Sequence, residues 1–493
     1  MNYPVWEIPA IGGGMMIGII AILHVFVAHF AVGGGLYLVL AERKAYREND
    51  PAVLEYVRGH SLFFVLVVLV FGAVSGVGIW WSIGLVSPAA TSTLLHIFLW
   101  AWAIEWVFFA VEIAAAFVYY YGWDRLDRRT HLTVGWIYFV TAWLSLFMIN
   151  GILTFMLTPG LWLTTREFWD AFWNPTAIPS LIIRTMVSIA LAGLYGLVTA
   201  AAIPERRLKA KMVRYAATWL LPASLVLPLG GAWYISRIPP LAREISMGGS
   251  PAVTIFAGLS IVLSAILFIF AFFGPFQRPQ HFNLPFAFML ALIGLSVTGV
   301  TEWVREAVRK PYVIYGYMYS NGITRREQEA IRRDGALRAA KWVTTKEIRQ
   351  DNRLEAGRNL YEIQCASCHT IDGFNGLQFA VMGWREEFID FQLQHLSELK
   401  GFMPPFMGTE AERRALAAWL ARLNPQSAPQ SPQLAGESRR ADTRRSGSAR
   451  IEELPQFVGR FFNPSVPAVP QPLAERTGLP VAEATGGAFG ADR

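Results

Sequence analysis

Eight long apolar runs divide most of the chain, near residues 12–42, 60–86, 92–121, 132–158, 178–203, 213–235, 252–274 and 282–308. Each is long enough to cross a hydrocarbon core of about 30 Å as a helix. The polar breaks between them alternate in charge. Arg43, Lys44, Arg47 and Arg58 follow the first run, Arg125, Arg128 and Arg129 the third, and Arg206, Arg207, Lys209, Lys211 and Arg214 the fifth. Arg278 follows the seventh, whereas the opposite breaks carry only Arg166, Arg237 and Arg243. Short basic loops face the cytoplasm, so the pattern predicts an all-α polytopic bundle of eight helices over residues 1–310, with its N-terminus outside. Eight crossings return the chain to the outside. Residues 311–349 read as a polar, charged connector, partly helical over 324–342. Residues 350–424 read as a small helical module whose last helix, near 410–423, sets Leu416, Trp419 and Leu420 on one face. Residues 425–493, rich in Pro, Ser, Gln, Ala and Arg, are expected to be mostly disordered.

Composition agrees with a bilayer protein: 493 residues, 54% hydrophobic and 16% charged. The net charge of +7 is no nucleic-acid signal, because the basic residues sit in short loops between apolar runs. The first run lacks a basic leader and a small-residue cleavage site, so it is read as a retained helix.

Both cysteines fall in one pentapeptide, Cys365-Ala366-Ser367-Cys368-His369. Cys-x-x-Cys-His is the attachment signature of c-type haem: two thiols add to the haem vinyl groups, and the adjacent histidine reaches the iron. A zinc half-site or a redox pair is the competing reading, but zinc needs further ligands at metal spacing and the chain has no second cysteine pair. Met403, opening Met403-Pro404-Pro405-Phe406 shortly before the final helix, is the expected distal ligand, with Met407 as the fallback; a thioether would raise the potential. Such haem is attached outside the bacterial cytoplasmic membrane. The module is therefore expected in the periplasm, a placement the charge pattern reaches independently.

Ionisable side chains inside membrane spans are costly and mark function. The first run carries His24 and His29. Five residues place them about 140° apart around a helix, so they are not expected to share one iron. His24 lies toward the outer face and reads as a haem ligand or a hydrogen-bonded core histidine; His29 fits the core role equally well. The third run carries Glu105 and Glu112, on nearly the same face and about 10 Å apart along the axis. They read as a proton relay, a haem ligand, or two protonated structural acids. The eighth run ends Glu302-Trp303-Val304-Arg305-Glu306-Ala307-Val308-Arg309-Lys310-Pro311-Tyr312. There Glu306 could ligate iron and Arg309 could pair with a propionate. A charged helix end snorkelling to water is the plainer reading.

The membrane part, over residues 12–316, resembles subunit I of the cytochrome bd oxygen-reductase superfamily. Leu23-His24-Val25-Phe26-Val27, then Gly33 and Glu42, are similar to that family's first helix with its haem-ligating histidine. Ala103-Ile104-Glu105, Glu112, Gly122-Trp123-Asp124-Arg125-Leu126 and His131 resemble its third helix and the loop after it. Ser145 falls where the family has a serine near its proton path. Glu306 to Tyr312 is similar to the family's Glu-x-Gly-Arg-Gln-Pro-Trp, whose glutamate ligates a high-spin haem. There are departures too. Arg184 stands where the family's fifth helix has the histidine of a low-spin b haem, and guanidinium cannot ligate iron. The partner methionine is absent from the seventh run, the quinol loop is reduced to about 236–250, and a cytochrome c replaces the ninth helix. This resembles the cytochrome c-fused branch.

The resemblance implies a respiratory haem protein of the bacterial inner membrane. Electrons from a periplasmic donor would pass through covalent haem c to a high-spin pair of b- or d-type haems at His24 and Glu306. O2 would be reduced to water with protons arriving past Glu105, Glu112 and Ser145. Partners implied are further membrane subunits and the lipid bilayer, not nucleic acid. The alternative is an electron-transfer subunit, linked to quinone or a partner, without O2 chemistry. No low-spin b haem is expected at the fifth helix, where Arg184 should pair with a carboxylate or a propionate.

Overall fold

The computed structural model describes residues 3–399 and 401–424; the tail expected to be disordered lies outside them. Among the described residues eight helices are long and apolar enough to cross a membrane: α1 (Gly13–Glu48), α2 (Pro51–Val86), α3 (Leu99–Tyr121), α4 (Arg128–Phe155), α5 (Ala177–Ala201), α6 (Arg206–Arg237), α7 (Pro251–Phe276) and α8 (Leu284–Ala307). They correspond one to one with the apolar runs. α1 outlasts its run because Arg43, Lys44, Arg47 and Glu48 are good helix formers once clear of lipid. It stops at Asn49, whose φ of 49° is left-handed. Asp50 then starts α2 by accepting from the backbone N–H of Ala52 and Val53, both at 3.1 Å, with Pro51 at the first helical position. Asp127 starts α4 in the same way. A wide π-turn over Leu66–Phe71 interrupts α2.

α5 is the most buried of the eight and packs against α1, α6 and α8. Its approach to α1 needs Gly33: a Cβ there would sit 1.9 Å from the Ser188 carbonyl oxygen. The outer faces are apolar, with Val70, Val74 and Val77 of α2 and Ile255, Ile261 and Phe273 of α7 exposed. Such faces are stable only against lipid or another apolar subunit, and this is a multi-pass membrane protein. The loop between α6 and α7 is short, as read.

Beyond α8 the connector departs from expectation. It opens with an antiparallel hairpin, β1 (Tyr312–Ile314) and β2 (Met318–Tyr319). Ile314 and Met318 pack with Phe98, Met148, Ile152 and Phe155, and the Tyr315 N–H donates to the Met156 carbonyl at the end of α4 (2.8 Å). The partly helical stretch expected over 324–342 contains two short helices, α9 (Gln328–Asp334) and α10 (Ala336–Ala339). Gly335, at φ 98°, ends the first, and α10 takes its N-terminal partner from far away: Glu412 accepts from the N–H of Ala336 and Leu337 at 2.9 and 2.8 Å. Ile323, Ile331, Leu337 and Val343 share one apolar core with Leu360, Tyr361, Leu416 and Trp419, so the connector is packed into the module it leads to. That module contains α11 (Arg353–Gln364), α12 (Glu386–Gln394) and α13 (Glu410–Arg422). Thr409 and Glu412 form a capping box on α13, which buries Leu416, Trp419 and Leu420 as its spacing predicts.

Candidate functional site

α11 ends at Gln364, and the pentapeptide follows as a tight turn in which the His369 N–H donates to the Cys365 carbonyl (2.8 Å). Cys365 and Cys368 are unbridged. Burial pushes the Cys365 thiol up to about 12, with the neighbouring Cys368 adding to it. A sulfur held where charge is disfavoured suits a neutral thioether. His369 Nδ1 faces the Asn375 carbonyl at 3.0 Å, which fixes Nδ1 as the donor and puts the lone pair on Nε2. The Asn375 amide in turn donates to the Cys368 carbonyl (3.0 Å). The Tyr361 hydroxyl donates to the His369 carbonyl (3.0 Å). These residues fit haem c.

Met403 is half-buried in the loop before α13. Met407 is fully buried in the apolar core. Its backbone is clamped to Gln364, next to Cys365: its N–H donates to Oε1 at 2.9 Å and its carbonyl accepts from Nε2 at 2.6 Å. The clamp holds the methionine loop beside the pentapeptide, with the Met407 side chain inside the module's apolar core.

In the bundle, His24 is half-buried and its Nδ1 lies 3.1 Å from the Ser75 hydroxyl of α2. That hydroxyl spends its own proton on the Phe71 carbonyl (2.5 Å), so it accepts from His24 Nδ1–H and leaves the Nε2 lone pair for a metal. The arrangement fits a haem ligand. His29, at 3% exposure, bonds back to the Val25 carbonyl (2.9 Å).

Glu105 and Glu112 each have a neutral partner. Ser145 donates to Glu105 (2.8 Å) and Tyr138 donates to Glu112 (3.0 Å), both from α4. Glu112 is buried and Glu105 half-buried, so neither is presented outright to lipid. Spacing did not reveal Tyr138 as the donor. Nearer the basic loops lies a second cluster, which the sequence offered only through resemblance. Glu42, at 0% exposure, meets His131 Nδ1 at 2.8 Å and the Tyr119 hydroxyl at 2.7 Å. His131 Nε2 donates to the Tyr119 carbonyl (2.9 Å), so one proton is shared between Glu42 and His131. A small, mostly apolar cavity lined by Leu38, Val39, Phe64 and Ala116 also touches Tyr119 of one cluster and Tyr138 of the other.

On α8 the acids have charged partners. Arg184 of α5 lies 3.3 Å from Glu302, which Arg305 also bonds at 2.8 Å. The carboxylate expected for Arg184 is thus present, on a residue to which no role had been assigned. Both oxygens of Glu306 accept from Arg309, at 2.5 and 2.6 Å, and Lys310 lies 3.7 Å away. Arg309 is buried, also reaches the Met156 sulfur (3.3 Å), and keeps an unpartnered Nε. The structure thus joins Glu105 to Ser145 and Glu306 to Arg309, while His24 stands with Ser75.

Residues 15–237 match the family model described as cytochrome bd terminal oxidase subunit I. Residues 352–420 match that of cytochrome c oxidase, cbb3-type, subunit III. Comparison with curated proteins finds no match. Among solved structures the chain resembles the bd oxidase from Geobacillus thermodenitrificans at 16% identity and a TM-score of 0.54, over 62% of this chain and 88% of that one; at that identity the likeness concerns the fold. With one match on the helices that carry His24, Glu105 and Glu112 and the other on the pentapeptide module, the chain joins a cytochrome bd subunit I domain to a cytochrome c domain.

Proposed function

We propose that this chain is the electron-accepting and O2-reducing subunit of a respiratory complex in the bacterial inner membrane, with its cytochrome c domain in the periplasm. When bound, the haems would supply the redox chemistry: electron transfer from a periplasmic donor through haem c, and reduction of O2 to water at a high-spin pair of b- or d-type haems. Cys365, Cys368, His369 and Met403 would hold the first, with Met407 as the fallback thioether. His24 would hold one membrane haem through Nε2 and Glu306 the other, with Arg309 shifting from Glu306 to a propionate.

The protein's own work is to deliver protons and exclude water. Glu42 and His131 hold a proton near the basic loops. Tyr119 and Tyr138 flank the gap to Glu112, and Glu105 with Ser145 stands further along the same helix face. Carboxylates bonded only by hydroxyls can gain and lose a proton without breaking an ion pair, and this observation on Glu105 and Glu112 carries the reading. Further membrane subunits would cover the exposed apolar faces of α2 and α7. The test is His24→Ala: the purified complex should lose or disorder one membrane haem while keeping haem c. An unchanged haem content and spectrum would contradict the assignment.

A further inference from the structure

The segment before α1 lies between the bundle and the cytochrome c domain. Trp6 pins it to the end of α2: its N–H donates to the Leu85 carbonyl (2.9 Å), and its ring meets Trp81 edge-on at 5.9 Å. The other side of the segment carries the cytochrome c domain. The Phe374 N–H donates to the Ala10 carbonyl (2.9 Å), Arg358 of α11 pairs with Glu7 (3.2 Å), and the Tyr361 hydroxyl reaches Glu7 at 3.4 Å. Packing here is close. A Cβ on Gly373 would lie 2.1 Å from the Pro9 carbonyl oxygen and 2.5 Å from that of Ala10. One on Gly12 would touch Thr370 at 3.3 Å, and one on Gly14 would lie 3.8 Å from the Ser367 carbonyl, inside the pentapeptide.

We infer that residues 7–14 are a docking surface for the cytochrome c domain, which fixes the haem-binding pentapeptide over the first turn of α1 and makes that junction the electron entrance to the membrane domain. His24 stands on the same helix, about 15 Å of axial rise beyond Gly14. A haem carrier swinging on a tether would need no such backbone-to-backbone fit. An external donor must therefore approach the cytochrome c domain from another face. The identity of the acceptor at His24 rests on the proposed function; the docking does not.

Gly373 gives the sharpest probe. It lies outside the left-handed region, so its own loop tolerates a side chain, and the nearest obstacles to a Cβ are the carbonyls of Pro9 and Ala10. The Glu7–Arg358 pair is partly exposed and contributes little by itself. In the full complex, Gly373→Val should retain haem c, its spectrum and its reduction by ascorbate. Amide exchange at Phe374 should accelerate about tenfold or more, and reoxidation of haem c by the membrane domain should slow by a similar factor. Trp6→Ala, which loosens the segment from α2 without touching the cytochrome c domain, should slow reoxidation in the same direction and keeps the test open if Gly373→Val fails to mature. Wild-type reoxidation and wild-type Phe374 exchange in these variants would overturn the inference. Faster Phe374 exchange in a complex without CO-binding haem would uphold the docking and sink the proposed function instead.

Discussion

Two pairs of acids occupy this bundle and keep opposite company. Glu105 and Glu112 on α3 are met by hydroxyls, from Ser145 and Tyr138. Glu302 and Glu306 on α8 are met by guanidinium groups, from Arg184, Arg305 and Arg309. The residue type is the same and burial does not sort the pairs, since Glu112 is buried, Glu105 and Glu302 are partly buried and the Glu306 side chain is 43% exposed, so the partner decides the role. A carboxylate facing a hydroxyl can be protonated or not with the hydrogen bond kept in either state, which suits a relay. A buried carboxylate between arginines stays ionised, because protonating it would leave cations unpaired in a low-dielectric interior. It can hold helices together or be exchanged for another anionic ligand, but it is a poor proton carrier.

The largest expected effect comes from treating Glu302 as a relay residue. Glu302→Gln leaves Arg184 and Arg305 without their carboxylate and should destabilise the bundle by about 3–5 kcal/mol, visible as a strongly lowered Tm or failed assembly. An unchanged Tm would erase the distinction between the pairs. Glu112→Gln should do the reverse: turnover falls about 100-fold, with Tm and haem content unchanged. Haem loss in that variant would move Glu112 to the structural group. Tyr138→Phe removes one neutral donor, costing about 1 kcal/mol and slowing turnover less than Glu112→Gln. Ser145→Ala should give the smallest change, since it removes one neutral hydrogen bond from the less buried of the two acids and leaves the carboxylate itself in place.

The spans and the haem c motif were legible because each is a local signal. An apolar run of fixed length and a pentapeptide carry their meaning within themselves. What the sequence hid depends on distant pairing. Glu302 looked like part of a charged helix end until α5 brought Arg184 to it, and Tyr138 was one aromatic among many on α4. The connector hid its packing for a similar reason. Its charged composition predicts a partly helical stretch, but not that Gly335 divides it or that Glu412, more than 70 residues away in sequence (76 from Ala336), caps the second helix. α1 ran past its apolar end because hydropathy reports where lipid stops, not where a helix does.

The central claim is that the bundle holds a high-spin haem pair at His24 and Glu306 and no low-spin b haem beside Arg184. A CO-difference spectrum with a haem count on the purified complex tests it most directly. One covalent haem c and two further haems per chain, with high-spin haem that binds CO, is the predicted result. Only low-spin, CO-inert haem, or a third non-covalent haem, would contradict it.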